Sequence, residues 1–220
     1  MKPRLLIALS AVALAAGSAI AQQAPAAAAA APAAQSVQTA PDALIRTLSS
    51  DVLDSIKKDK TLAADLGKLN ALIDEKILPY VNFEKMTQLA VGRSWRQATA
   101  EQRQALTREF RQLLVRTYSG AVAEVRDHQI QMRPFRAAAG ETDVVVRTAV
   151  VPSRGDSIQL DYRLEKTDAG WKIYDVNVLG VWLVENYRNS FASEINQKGI
   201  DGLIKSLAER NKGATETRKS

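Results

Sequence analysis

GWKIYDVNVLGVWLVENYRNSFASEINQKGIDGLIKSL, Gly170 to Leu207, reads as a strand, a glycine break and two amphipathic helices. Its first part, WKIYDVNVL, is rich in the β-branched and aromatic residues that suit a pleated, half-buried surface, and Gly180 interrupts it. Beyond the break Leu183, Tyr187, Phe191 and Ile195 recur every four residues, which sets them on one helical face. Nothing in the stretch reads as catalytic chemistry, so it points to binding.

Upstream the hydrophobic period is two. Ile130 and Met132 alternate with Gln129, Gln131 and Arg133, and Val144, Val146 and Val150 share a side. From Ser157 to Glu165, Ile158, Leu160, Tyr162 and Leu164 point one way, while Gln159, Asp161, Arg163 and Glu165 point the other, toward water. Short turns at Arg154-Gly155-Asp156 and Asp168-Ala169-Gly170 favour antiparallel hairpins. Earlier still the period is helical. Leu44, Leu48, Val52 and Ile56 form one stripe, and a second helix is predicted from about Leu62 to Ile77, ended by Pro79. A short helix then carries Phe83, Met86 and Leu89 or Ala90 on one side, up to Gly92. Thr99 and Gln102 form a capping box for the longest predicted helix, with Leu106, Phe110, Leu113, Leu114, Tyr118, Ala121, Val122 and Val125 at helical spacing. Helices, a meander of four or more antiparallel strands and further helices make an α+β fold.

The N-terminus has Lys2 and Arg4, an apolar run from Leu5 to Ala16, and Ala19 and Ala21 in the A-x-A arrangement of a cleavable secretory signal. The run falls well short of the ~20 residues a spanning helix needs. The expected organisation is a signal peptide at 1–21, an Ala/Pro-rich leader at 22–41, one domain at 42–212 and a tail at 213–220. The leader has too little large apolar area to offset the entropy of ordering it. With no Cys, the chain has no lipid-attachment thiol, disulfide or thiolate chemistry. Loss of Lys2 and Arg4 would leave a mildly basic chain. Its arginines between 93 and 116 are interleaved with Glu101 and Glu109, so no nucleic acid partner is expected.

Two blocks carry a resemblance. The first is WKIYDV with Gly180-Val181, Asn186-Tyr187-Arg188 and Lys198 to Leu203. The second is VGRSWRQATAEQRQALTREFRQLLVRTY, with Gly92, Trp95, Ala98, Thr99, Gln102, Arg103, Phe110, Leu114 and Tyr118, preceded by PYVNFEKM. Together they resemble the MlaC family of periplasmic phospholipid shuttles, also known as toluene-tolerance auxiliary transport proteins. The resemblance implies a curved sheet packed by helices, similar to the cystatin and nuclear-transport-factor cones, with a helical N-terminal lobe. It implies a bound glycerophospholipid, no cofactor, a monomer, and two partners: an inner-membrane ABC transporter with an MCE-domain ring, and an outer-membrane lipoprotein-porin complex. The expected lipid-lining residues are Phe83, Leu89, Trp95, Phe110, Leu113, Leu114, Tyr118, Val144, Val146, Val150, Leu160, Tyr162, Trp182, Tyr187 and Phe191. Each has core packing as its alternative. Trp182 departs from the family pattern, which has smaller or polar residues after the Gly-Val, and is expected at the pocket mouth.

Catalytic readings are sparse. His128 is the only histidine, so a multi-His metal site is excluded and no metal ligand is expected. A cone-fold isomerase or hydratase is the runner-up, because Asp175 shares strand parity with Trp171 and Ile173 and could face Tyr162 across the interior. The alternative for Asp175 is a backbone cap or an ion pair with an arginine such as Arg188. A ligand-free periplasmic adaptor is the third reading.

Overall fold

A computed structural model describes residues 39–59, 61–62, 65–124 and 128–216. The predicted signal, nearly all of the leader, Val125 and the end of the tail lie outside them. Five strands, β1 (Gln129–Met132), β2 (Asp143–Val151), β3 (Ile158–Thr167), β4 (Gly170–Val178) and β5 (Val181–Trp182), form one sheet in sequence order. Every neighbouring pair is antiparallel, so the expected meander is present with a short fifth strand added. Gly155 and Gly170 supply positive φ at the two expected turns, where a side chain would strain the backbone.

The β3–β4 register shifts between Arg163 and Leu164. Arg163 faces Asp175 while Leu164 faces Ile173, leaving Tyr174 as the extra residue of a bulge. One face of the sheet therefore carries Val144, Leu164 and Ile173 in one row, Val146, Tyr162 and Val176 in the next, then Thr148, Leu160 and Val178, then Val150 and Ile158. The other face carries Arg147, Asp161, Asn177 and Trp182 in one row, and Arg163 and Asp175 in another.

Five helices accompany the sheet: α1 (Pro41–Lys58), α2 (Leu66–Leu72), α3 (Phe83–Val91), α4 (Ala100–Glu124) and α5 (Leu183–Glu216). The predicted Leu62–Ile77 helix is shorter and less regular. Asp65 caps α2 by accepting from the Gly67 and Lys68 backbone N–H groups, and the chain then widens into a π turn at Ile73–Ile77 and tightens into a 3-10 turn around Pro79. The capping box of α4 is formed as predicted: Thr99 Oγ1 accepts from the Gln102 N–H at 3.2 Å, and Gln102 Oε1 accepts from the Thr99 N–H at 3.0 Å. α5 is longer than α4, but Gly199 at φ 72°, ψ −179° bends it into two arms, which are the two helices legible in the sequence. Asn82 anchors the start of α3 to the sheet, capping Lys85 N–H and donating to Glu165 of β3.

Candidate functional site

Three apolar clusters organise the protein. The first joins α3, α4 and both arms of α5 through Met86, Trp95, Leu106, Phe110, Phe191, Leu203 and Leu207. The second packs Leu44 and Ile45 of α1 on Val144, Val146, Leu164 and Ile173 of the sheet. The third closes the helical lobe with Ile56, Leu62, Leu69, Leu72 and Ile73. α1 lies over β1 and β2, whereas α3 and α5 meet the sheet at β4. Between these two covers runs a strip of the apolar face, Leu160 and Tyr162 of β3 with Val176 and Val178 of β4, each partly exposed. Val176 packs against both the first and second clusters, so the strip is their seam. Its polar atoms are few. Burial, the largest influence, pushes the Tyr162 phenol up to about 12 against the lowering influence of the Ser49 and Thr148 hydroxyls. Such a surface is chemically suited to hydrocarbon.

The expected lipid-lining residues divide accordingly. Leu160 and Tyr162 line the seam, and Val144, Val146 and Val150 lie on the same sheet face toward β2. Phe83, Leu89, Leu113, Tyr118 and Tyr187 are partly buried against the helical cluster, while Trp95, Phe110, Leu114 and Phe191 are buried within it. Phe110 meets Tyr187 edge-on at 5.0 Å between ring centroids and Phe191 at 5.1 Å, so these rings act as a packed scaffold. Val176 and Val178 were not foreseen in the lining. Their signal is in the sequence, because apolar residues switch from odd positions (Trp171, Ile173) to even ones (Val176, Val178) across the bulge.

Two expectations fail on the opposite face. Trp182 does not sit with the apolar residues: it pairs with Asn177, and the Arg163 guanidinium stacks over its ring at 3.9 Å from the centroid. The reason is the short hairpin after β4, which carries the indole to the polar side. Asp175 does not face Tyr162 either, because the bulge reverses its parity. Its Oδ1 accepts from the Val176 and Val184 backbone N–H groups, and its Oδ2 accepts from Arg163 Nη1 at 2.9 Å. It is therefore the backbone cap and arginine partner of the alternative reading, with Arg163 in place of Arg188. Nor is this face simply wet. Asp161 is buried beside Gln159, and Glu165 holds Asn82 and Lys85.

A model of the MlaC protein family matches residues 46–209, from within α1 to the second arm of α5. The chain belongs to the MlaC family. A solved structure, that of the phospholipid-binding protein from Ralstonia solanacearum in complex with a phospholipid, is 46% identical, with a TM-score of 0.76 over 79% of this chain and 98% of that one. The intermembrane phospholipid transport system binding protein MlaC of Haemophilus influenzae is 22% identical over 78% of this chain and 82% of its own length. The toluene tolerance protein ttg2D of Pseudomonas putida is 28% identical over 54% of this chain and 58% of its own.

In this MlaC-family chain a concavity lies among the helices. A cleft of about 770 Å³ runs between α3, the 3-10 turn Gly92–Arg96 and the first arm of α5. Its wall includes Leu89 and Trp95, expected site residues, and Arg188, whose Nε donates to the Leu89 carbonyl at 3.1 Å. Among the described residues no group of His, Cys, Asp and Glu is placed to hold a metal ion. No described helix is long and apolar enough to cross a membrane.

Proposed function

We propose that the protein is a periplasmic phospholipid carrier, moving diacyl lipid between outer- and inner-membrane complexes and so maintaining outer-membrane lipid asymmetry. One observation carries this reading: a protein 46% identical over nearly its whole length binds a phospholipid, and this chain folds the same way. The apolar seam gives the reading a physical basis. A diacyl lipid has roughly 30 methylene-like groups, each costing ~0.8 kcal/mol to expose, so a bare lipid meets a barrier above ~20 kcal/mol in water. An apolar enclosure removes most of that barrier, and because a bilayer is equally apolar, transfer between the two is close to balanced. Docking partners can then set direction. The partners are an inner-membrane ABC transporter with an MCE-domain ring and an outer-membrane lipoprotein-porin complex, reached after export by the signal at 1–21. The tails lie along the strip of Leu160, Tyr162, Val176 and Val178, with Leu113, Leu114, Tyr118 and Tyr187 behind it.

The isomerase reading loses its support, since Asp175 and Tyr162 stand on opposite faces of the sheet. The test is lipid extraction from protein purified out of a periplasmic fraction, followed by mass spectrometry. We expect about one diacyl glycerophospholipid per chain. Protein that is consistently lipid-free and unable to take up labelled lipid from vesicles would overturn the proposal.

A further inference from the structure

The apolar strip has an open end. Leu160 faces Val178 across the β3–β4 ladder, and Val178 faces Val181 across the β4–β5 ladder. Residues directly opposite share a face, so one apolar row crosses β3, β4 and β5 and finishes at the last strand. There it meets no cover: Val181 is 51% exposed, and Leu179, in the turn between Val178 and Val181, is 67% exposed. Among the described residues the next most exposed large apolar side chain is Tyr80 at 39%, so the two stand out from the rest of the surface.

The backbone of this turn suits an apolar surrounding as well. Leu179 N–H donates to the Gln159 carbonyl at 3.1 Å, and Gly180 N–H donates to Oδ1 of the buried Asn177 at 2.9 Å. An unpaired N–H is costly to bring into hydrocarbon, and neither central residue of the turn presents one. Leu179 is also the only described residue other than glycine with a positive φ, 53°, a conformation that Asn would hold at less cost. Neither packing within the chain nor the needs of the turn account for a branched apolar side chain there; burial against something outside the chain does. A two-residue turn is convex, so it cannot enclose a ligand, but it can enter a soft surface. The β2–β3 turn stands at the same end of the sheet, since Val150 faces Ile158, and its exposed Arg154 and Asp156 carry opposite charges. That turn therefore adds no net attraction for anionic lipid.

We propose that the β4–β5 turn, with Leu179 and Val181, dips into the hydrocarbon edge of a phospholipid bilayer, so that the apolar strip is entered from the membrane at its open end. The inference rests on the carrier reading and adds to it a lipid surface as a direct contact of this chain. A tail that passes along Val181, Val178 and Leu160 stays on apolar surface and is spared exposure to bulk water. Two side chains on one turn bury little area, so the attachment is brief and reversible, as a carrier that must leave again requires.

The experiment uses vesicles of phosphatidylethanolamine and phosphatidylglycerol. The sequence has no Cys, so Leu179→Cys carries a single environment-sensitive dye at the tip, and Ala169→Cys carries it on the β3–β4 turn at the opposite end of the sheet. When vesicles are added, the dye at 179 should shift to the blue and be quenched by spin-labelled acyl chains, while the dye at 169 stays in water. Leu179→Asn/Val181→Thr tests the consequence for transfer. It should melt at or near the wild-type temperature and take up fluorescent phospholipid from vesicles about tenfold more slowly, yet reach wild-type occupancy when the lipid is offered dispersed in detergent. A dye at 179 that stays in water, or uptake at the wild-type rate by the folded variant, would overturn the membrane contact and leave the carrier reading intact. A dye that shifts on native membrane vesicles but not on pure lipid ones would assign the tip to a protein partner and overturn the bilayer contact. Wild type that takes up lipid from neither source would overturn the carrier reading, and with it the tip as an entrance.

Discussion

Asp175 is fully buried and yet charged chemistry surrounds it, which makes it the most demanding residue in the sheet. Burial raises its carboxyl above the ordinary value of 3.8, against the lowering influence of the Val184 N–H, the Arg163 charge and the Val176 N–H. With the folded pKa raised, the folded state holds the proton more tightly than the unfolded chain. This group's contribution to stability is thus complete below the unfolded value and is lost as pH rises through the folded one. What keeps the ion in place at neutral pH is geometry: one oxygen caps the first turn of α5 and the other meets Arg163. Asp175→Asn retains a cap acceptor and removes the cost of burying the charge, so at pH 7 we expect a loss of about 1–2 kcal/mol, against about 3–5 kcal/mol for Asp175→Ala. The Asn variant should also show a flatter stability profile as pH rises above the ordinary carboxyl value of 3.8. Urea unfolding across pH 4 to 7 measures both, and identical losses for Asn and Ala would remove the capping account.

At the scale of elements, the hairpin joining β4 and β5 is the least economical part of the sheet. Leu179 and Gly180 both have positive φ, the signature of a type I′ turn, which favours Asn-Gly. Leu179 is instead a branched apolar residue, 67% exposed, in a left-handed conformation that costs it stability. Leu179→Asn should raise stability by about 0.5–1 kcal/mol in thermal melts, since Asn tolerates this conformation and the side chain has little packing to lose. A lower melting temperature would mean that Leu179 makes contacts its exposure conceals. The same element shows how far the sequence could be read. β3 was legible because Ile158, Leu160, Tyr162 and Leu164 keep strict period two, and the start of α4 was legible because Thr99 and Gln102 act locally. β4 was legible as a strand, but its faces were not. A bulge is decided by pairing with β3, and a constant-parity reading sent Asp175 inward and left Val176 and Val178 out of the lining. Which apolar residues form the seam depends on where the helices land on the sheet. Contacts such as Asn82 to Glu165, 83 residues apart, decide that, and local periodicity does not carry the information.

Across the whole molecule the apolar interior is divided, and that division governs how a lipid can be held. The cluster under α1 and the cluster of α3, α4 and α5 share Val81 and Val176 among their partly buried members, so they adjoin along a narrow line and not through a deep common core. Parting them there exposes two apolar walls, and hydrocarbon tails can restore the lost contacts, whereas parting either cluster internally breaks close packing with no replacement. The two kinds of apolar residue should therefore respond differently to a buried charge. Leu160→Asp, on the partly exposed strip, should fold with near-native circular dichroism and melting yet lose most of its phospholipid loading, because a carboxylate against acyl chains is costly to desolvate. Leu114→Asp, inside the helical cluster, should instead lose several kcal/mol of stability, roughly the cost of an unpaired buried charge. Trp182→Ala provides the control from the other side of the sheet: loss of its stacking on Arg163 should cost about 0.5–2 kcal/mol and leave lipid uptake unchanged. Vesicle-loading assays alongside melting curves separate these outcomes. A folded Leu160→Asp variant with full lipid occupancy would move the tails away from the seam, and slower or faster uptake by Trp182→Ala would bring the polar face of the sheet back into the transfer path.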